Sequence, residues 1–204
     1  MCRNHKNKQF NKRRKRMSGN SFGKSEISSK SYVHPKAEVT GRVIIEDNVL
    51  IAPNASIRAD EGSPFKISKG CNVQDGVVMH GLHEKYVTVG EENFSIFIGS
   101  HCSIAHQAMI HGPTFIDKKT FVGFRAIVHN SKIGKHCHIG HGAIIVGVEI
   151  PDNRYVGHGM VIDSQDKVKR LSLVTEEDNN FNKEVVDVNK RMKEVYQLEE
   201  EQTI

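Results

Sequence analysis

Three features of the 204-residue sequence predict an all-β chain wound as a three-sided parallel β-helix of hexapeptide repeats, with an α-helix packed alongside its C-terminal end. Aliphatic residues return every six positions through the middle of the chain. A small residue usually follows each of them four places later. Beyond residue 163 the spacing changes to that of an amphipathic helix.

The period runs through Val33, Val39, Ile45, Ile51 and Ile57. After a four-residue insertion come Ile67, Val73 and Met79, and after a longer one Ile98, Ile104, Ile110, Ile116, Val122 and Val128. Single deletions lead to Ile133, Ile139 and Ile145, then to Ile150, Val156 and Ile162. All twenty positions are Ile, Val or Met, where composition alone would place about five such residues. Ala37, Ala55, Cys71, Cys102, Ala108, Thr114, Ala126, Cys137 and Ala143 stand four places on. One large and one small inward side chain make each hexad a short strand on one face of a prism. Three hexads close a coil, and coils stack at ~4.8 Å. Twenty hexads give nearly seven coils. Known hexapeptide proteins imply that such a prism coils left-handed, against the usual right-handed crossover rule.

Phe181, Val185, Val188, Met192 and Val195 then recur at helical spacing, predicting an amphipathic helix over roughly 176–200 packed along the prism. The expected organisation is a basic, disordered tail at 1–30, a left-handed β-helix at 31–165 and a helical extension at 166–204. Hydrophobic residues are 37% of the chain, enough for a core, and with only 6% aromatics and no Trp that core must be Val and Ile. The longest apolar runs, such as AIIVGV at 143–148, are far short of the ~18 residues that cross a bilayer, so no membrane span is expected.

The net charge of +5 belongs to the tail. Residues 1–16 hold eight Lys/Arg and no acid, so subtracting 8 from +5 leaves −3 for residues 17–204. Such a tail is read as a solvated extension, or as sequence upstream of a true start at Met17. Its KRRKR run is also able to touch nucleic acid or an anionic surface. No apolar stretch follows it, so it is not a secretory signal. Four Cys are too few for a disulfide scaffold, and a cytoplasmic location is the expectation. Cys71 and Cys102 fall on adjacent coils, as small core filler or as a redox pair.

Twelve His is a high count, and three of them sit in register. His80 follows inward Met79 and His111 follows inward Ile110. If residues 81–97 form an excursion, these two imidazoles stack on adjacent coils and point outward. Two imidazoles that close can share a metal, with Zn–N near ~2.0–2.1 Å. His106 follows Ile104 by two places, so it points from a neighbouring face. One chain then cannot bring all three to one ion, but a neighbouring prism can supply the third. A threefold ring satisfies all three interfaces at once. Arg58 and His129 extend the column of His80 and His111, among Asp60, Glu61, Asn72, Gln74 and Asp75.

At this point the residues resemble a known family. SIRADEGSPFKISKGCNVQDGVVMHG and IAHQAMIHGPTFIDKKTFVGFRAIVHNSKIG, with three His separated by 25 and 4 residues, resemble the γ-class carbonic anhydrases. The likeness is strongest to the carboxysomal γ-carbonic-anhydrase-like domains and covers about residues 32–196. It implies a homotrimer interconverting CO2 and bicarbonate by a metal-bound hydroxide. Zn2+ (or Fe2+ or Co2+) would be held by His80 and His111 of one chain and His106 of the next. It further implies ion pairs of Arg58 with Asp60 and, across the interface, with Asp75. By the same likeness Gln74 hydrogen-bonds the hydroxide, while Asn72, Glu61 and Asn189 line the pocket and handle CO2, bicarbonate or protons. Three neutral imidazoles leave the ion its full charge, which draws the pKa of coordinated water toward ~7.

The sequence also departs from the founding members. The loop after His80 is shorter, with His83 and Glu84 near the place of the family's proton-shuttle glutamate. Asp187 replaces a tyrosine of the helix, and His129 stands where relatives carry an aromatic. Two further readings remain: a catalytically weak metal-binding assembly module of the same fold, and a hexapeptide acyltransferase with a lone catalytic His.

Overall fold

The computed structural model describes residues 22–201; the basic run at 1–16, Met17 and Cys2 lie outside the described residues. Strands of two to four residues, joined by bends, form three faces of a prism. On the first face Glu26–Ile27, Val43–Ile45, Phe65–Ile67, Ile96–Ile98, Thr114–Ile116, Lys132–Ile133 and Glu149–Ile150 stack in that order. The second face runs from Tyr32–Val33 through Asn72–Val73 and Ser103–Ile104 to Arg154–Val156, where Ser172–Leu173 adds an antiparallel edge. On the third face Glu38–Gly41, Ser56–Ala59, Val78–His80, Met109–His111, Ile127–His129, Ile144–Val146 and Val161–Ile162 stack. Apart from Ser172–Leu173, every rung on the three faces is parallel, so each face is seven coils deep.

The twenty period-six positions all lie in these strands and point inward. Eighteen are essentially without solvent exposure, and Val33 and Val39 are half-buried. Ile27 adds one more rung, so the first coil begins inside the stretch 1–30 that was expected to be disordered. Its Glu26–Ile27 strand pairs in parallel with Ile44 and Ile45, which is enough to order it. The prism corners need left-handed backbone. They use Asn48, Asn54 and Asn153, and also His101, Gln107, Lys119, Arg125 and His136, each with φ between 54° and 60°. Gly41 (φ +80°) serves the one bend where a Cβ would meet the Ala59 carbonyl oxygen at 2.2 Å.

The excursion after His80 is a hairpin, Val87–Val89 against Glu92–Phe94, with Val87 and Phe94 buried. It leaves and rejoins the prism without a phase error, since Phe65–Ile67 pairs directly with Ile96–Ile98. Cys71 and Cys102 stack inside as free, buried thiols. The Cys71 thiol donates to the Gly99 carbonyl at 2.9 Å, and burial pushes the Cys102 thiol well above its usual pKa.

Two helices finish the chain: α1, Gln165–Val168, and α2, Glu176–Glu201. Val168 and Leu171 are buried over the end of the prism. A reciprocal cap starts α2: the Thr175 N–H donates to Asp178 Oδ2 (2.8 Å) and the Asp178 N–H donates to Thr175 Oγ1 (3.2 Å). None of the helices among the described residues is long and apolar enough to cross a membrane.

The side of α2 that meets the prism corrects the sequence reading. Phe181, Val188, Met192 and Val195 are 39–52% exposed, while Asn182 and Lys193 are buried. The physical reason is that the prism bends present backbone carbonyls. Asn182 Nδ2 donates to the His101 carbonyl (3.3 Å), and Lys193 Nζ donates to the Lys30 carbonyl (2.9 Å) and to Asn48 Oδ1 (3.3 Å). Polar helix residues satisfy those acceptors and apolar ones cannot. Tyr196 stacks on Tyr32 at 5.7 Å, and Phe181 meets Phe121 edge-on at 5.1 Å.

Two predictions follow from this packing. Ile116→Ala removes a fully buried side chain between two coils, and urea unfolding is expected to show a loss of about 2–5 kcal/mol. His138 lies under α2, 3.6 Å from Asp178 Oδ1, with Phe121, Tyr155 and Phe181 around it. Burial holds its pKa below 6.5, against the pull of Asp178, and His141 and His158 push in the same direction as burial. Above pH ~6.5 both folded and unfolded chains carry it neutral. As pH falls below that value the unfolded chain takes up the proton first, so stability declines. Chemical denaturation at pH 7.5 and 5.5 should show that loss, and His138→Leu should reduce it.

Candidate metal site

The third face carries a column of outward side chains: Arg58, His80, His111 and His129 occupy one register position on four successive coils. Parallel stacking sets their spacing. The rings of His80 and His111 are 5.3 Å apart between centroids, and those of His111 and His129 are 5.1 Å apart. His80 Nδ1 faces His111 Nε2 at 3.4 Å.

The other nitrogen of each ring is already engaged. His80 Nε2 is 3.2 Å from Asp60 Oδ1 and 3.8 Å from Glu61 Oε2. His111 Nδ1 is 3.1 Å from the Gly112 carbonyl oxygen. The Gly112 carbonyl only accepts, so that contact assigns the N–H of His111 to Nδ1; Asp60 Oδ1 is buried with no hydrogen-bond partner, and the His80 tautomer with its N–H on Nε2 is the one that offers it a donor. Two neutral rings assigned this way turn lone pairs toward each other at 3.4 Å, an arrangement that wants a cation between them. Two nitrogens on one tetrahedral zinc at ~2.0–2.1 Å stand about 3.3 Å apart, so the pair fits the metal. Asp60 is itself held by Arg58, whose Nε lies 3.2 Å from Oδ2. Carboxylate, imidazole and metal in series is the usual way a protein orients a histidine ligand.

His106 stands apart, on the bend that leads from the second face into the third. Its Nδ1 is 3.1 Å from Asp75 Oδ2, and its side chain is half exposed, so Nε2 is free to point away from the chain. Asp75 thus meets His106 within one chain, whereas its expected contact with Arg58 is one between chains. Gln74 is buried beside it. Its Nε2 donates to Asn72 Oδ1 (2.9 Å), Asn72 Nδ2 donates to Ser103 Oγ (2.9 Å), and Gln74 Oε1 has no partner. Asn189 lines a cavity of about 310 Å³ together with Asn72, its Nδ2 bonded to the Val185 carbonyl (2.9 Å).

The expected site residues therefore divide into two groups. One, at the outer margin of the third face, holds Arg58, Asp60, Glu61, His80 and His111. The other, between α2 and the next bend, holds Asn72, Gln74, Asp75, His106 and Asn189. Among the described residues of a single chain, no three His, Cys, Asp or Glu side chains form a group able to hold a metal ion. His83 and Glu84 lie 3.7 Å from each other on the exposed loop after His80.

Sequence reasoning missed a ladder beside His106. Phe124 lies 5.4 Å from the His106 ring and stacks on His141 at 4.3 Å, which stacks on His158 at 4.7 Å. His141 Nδ1 accepts the Phe124 N–H (3.0 Å), and His158 Nδ1 accepts the His141 N–H (2.9 Å). The signal was present. Phe124, His141 and His158 each follow an inward Val or Ile by two places, as His106 follows Ile104.

Comparison with known proteins gives the family and the fold. Residues 132–164 match the family described as the hexapeptide repeat of succinyl-transferase. The chain is 38% identical over 182 residues to the carbonic anhydrase of Methanosarcina thermophila, covering 83% of this chain and 74% of that one. The chain belongs to the γ-class carbonic anhydrase family of hexapeptide-repeat proteins. It is also 41% identical over 178 residues to the carboxysome assembly protein CcmM of Nostoc, covering 86% of this chain and only 32% of that protein. Among solved structures, a Bacillus cereus protein assigned as an acetyltransferase superposes with a TM-score of 0.68 at 23% identity, over 85% of this chain and 91% of that one. A hexapeptide transferase family protein from Anaplasma phagocytophilum gives 0.62 at 17%, over 84% and 92%. At those identities the likeness is one of fold, the left-handed β-helix expected of the repeat.

Proposed function

We propose that this γ-class family member is a carbonic anhydrase that interconverts CO2 and bicarbonate at metal sites shared between the chains of a homotrimer. The observation that carries the reading is the division of the site: two imidazoles with facing lone pairs on one margin, and a third with its free nitrogen turned outward on another. His80 Nδ1, His111 Nε2 and the partner's His106 Nε2 would hold the ion, and three neutral imidazoles suit Zn2+, Fe2+ or Co2+. When bound, the metal supplies Lewis acidity that makes water a nucleophile near neutral pH.

The chain's own residues do the rest. Arg58 and Asp60 orient His80. Gln74 offers the unpartnered Oε1 as an acceptor for a reacting O–H, and its amide is braced by Asn72 and Ser103. Asn72 and Asn189 border a cavity of about 310 Å³ under α2, and the resemblance gives these two side chains the handling of CO2, bicarbonate or protons. Glu61 is half exposed beside His80, a position from which a carboxylate passes a proton to bulk water. His83 and Glu84, exposed on the following loop, extend that route.

A second reading is favoured by one observation. The 41% identity to the Nostoc assembly protein, of which this chain spans about a third, fits a metal-bearing module whose work is assembly. Stopped-flow CO2 hydration separates the two readings. Protein loaded with zinc, or with iron under anaerobic conditions, is expected to hydrate CO2, and His80→Ala and His106→Ala to abolish the activity together with stoichiometric metal. A metal-loaded trimer that leaves CO2 unhydrated contradicts the enzyme reading and favours the module. Asp60→Asn is expected to weaken zinc binding by about 10–100-fold in a chelator competition while the fold is retained, because it removes the acceptor that orients His80.

A further inference from the structure

We propose that the cavity between α2 and the bend joining the first face to the second binds an oxyanion that keeps a hydroxyl near neutral pH, bicarbonate or hydrogenphosphate. This bend precedes the second face, whereas His106 stands on the bend that follows it. Every group involved belongs to one chain, so the site does not depend on the trimer.

Stacking builds the floor. His101, Lys119 and His136 each stand three places after an inward Ile, at Ile98, Ile116 and Ile133. Those three Ile are in register, so the three side chains occupy one position on three successive coils. Backbone bonds hold the column: the Lys119 N–H donates to the Ser100 carbonyl (2.8 Å) and the His136 N–H to the Lys118 carbonyl (3.0 Å). From above, α2 contributes Asn182, Lys183 and Asp187, and the space between is about 400 Å³.

Two observations say what belongs there. The first is charge. Lys119 and Lys183 border this cavity, and Lys69, Lys190 and Lys193 border the adjoining one of about 310 Å³, which shares His101 and Asp187 with it. Among the described residues Asp187 is the one carboxylate on either wall, and none of the five lysines forms an ion pair. His101 registers the resulting field. Burial first, then Lys69 and Lys119, hold its pKa below the usual imidazole value, against the pull of Asp187.

The second observation is a missing donor. Asn182 is only 6% exposed, its Nδ2 is committed to the His101 carbonyl (3.3 Å), and its Oδ1 is buried without a partner. An amide oxygen in that state is costly and wants a hydrogen to accept. A water molecule would meet that need but not the charge. Sulfate, with no proton left, would meet the charge but not the oxygen. An oxyanion with one O–H meets both: its negative oxygens take N–H donors from the lysines, and its hydroxyl donates to Asn182 Oδ1.

The test is isothermal titration calorimetry on the full chain at pH 7.5, with potassium bicarbonate, sodium phosphate and sodium sulfate as separate probes at matched ionic strength. The protein is chelator-treated, so that no metal site competes for bicarbonate. Phosphate or bicarbonate is expected to bind at least about 10-fold more tightly than sulfate, because a site built for a hydroxyl rejects the analogue lacking one. The tighter of the two identifies the source, bicarbonate pointing to dissolved CO2 and phosphate to the phosphate pool. Lys119→Glu combined with Lys183→Glu, both exposed, should leave the circular dichroism unchanged and weaken every probe at least about 10-fold. Asn182→Leu should erase the preference over sulfate; if it fails to fold, the wild-type preference and the double Glu variant still decide. Sulfate bound as tightly as the other two, affinities unchanged in the double Glu variant, or no saturable binding of either hydroxyl-bearing probe would overturn the site.

Discussion

Parallel stacking of one coil on the next, at a single strand spacing, is the constraint on which everything else in this protein depends. It places the aliphatic residue of each hexad above its predecessor and so builds the core. The same rule applies to the residue next in line, which points outward. A column of imidazoles therefore arises from the geometry that builds the column of Ile, with no separate scaffold. It also explains why the excursion after His80 is a hairpin that returns in phase. A slip of one residue there would turn every later side chain to the wrong side and separate His80 from His111.

The local electrostatics follow from that stacking. Rings held one strand apart cannot avoid each other, so what each edge does is decided by the neighbours behind it. The Gly112 carbonyl takes the N–H of His111, while Asp60 Oδ1 stands 3.2 Å from His80 Nε2 and Asp75 Oδ2 stands 3.1 Å from His106 Nδ1. Each ring is left with one nitrogen whose lone pair is uncommitted. Under the proposed function these nitrogens, at two separate margins, would meet on an ion only between copies, since no single-chain group able to hold a metal occurs among the described residues.

Much of this was legible in the sequence because the repeat is a ruler. Counting hexads puts Arg58, His80, His111 and His129 in one column and His106 on the neighbouring face. The likeness carried by IRADE, NVQDGV and HGP added roles that counting cannot supply. Legibility failed where the partner of a residue lies outside the repeat. The apolar stripe of α2 marked an amphipathic helix, but periodicity reports a stripe and not what covers it. The covering of the prism by Asn182 and Lys193 depends on bend carbonyls with no sequence signature. The first strand, Glu26–Ile27, was missed because a single hexad amid Ser and Lys has no neighbour to establish its phase. The stack of Phe124, His141 and His158 follows the ruler too, but it carries no motif, and the bonds from backbone N–H groups to ring nitrogens that hold it leave no mark in the sequence.

The central claim is that two imidazoles from one chain and a third from its neighbour meet on one divalent ion. Its most direct measurement is the zinc content of mixed trimers assembled from His80→Ala and His106→Ala chains. Every mixed ring has one junction at which an intact pair faces an intact third imidazole, so the account predicts one tightly bound zinc per mixed trimer and none in either parent. Mixed trimers without zinc, or a parent that keeps its full complement, would contradict it.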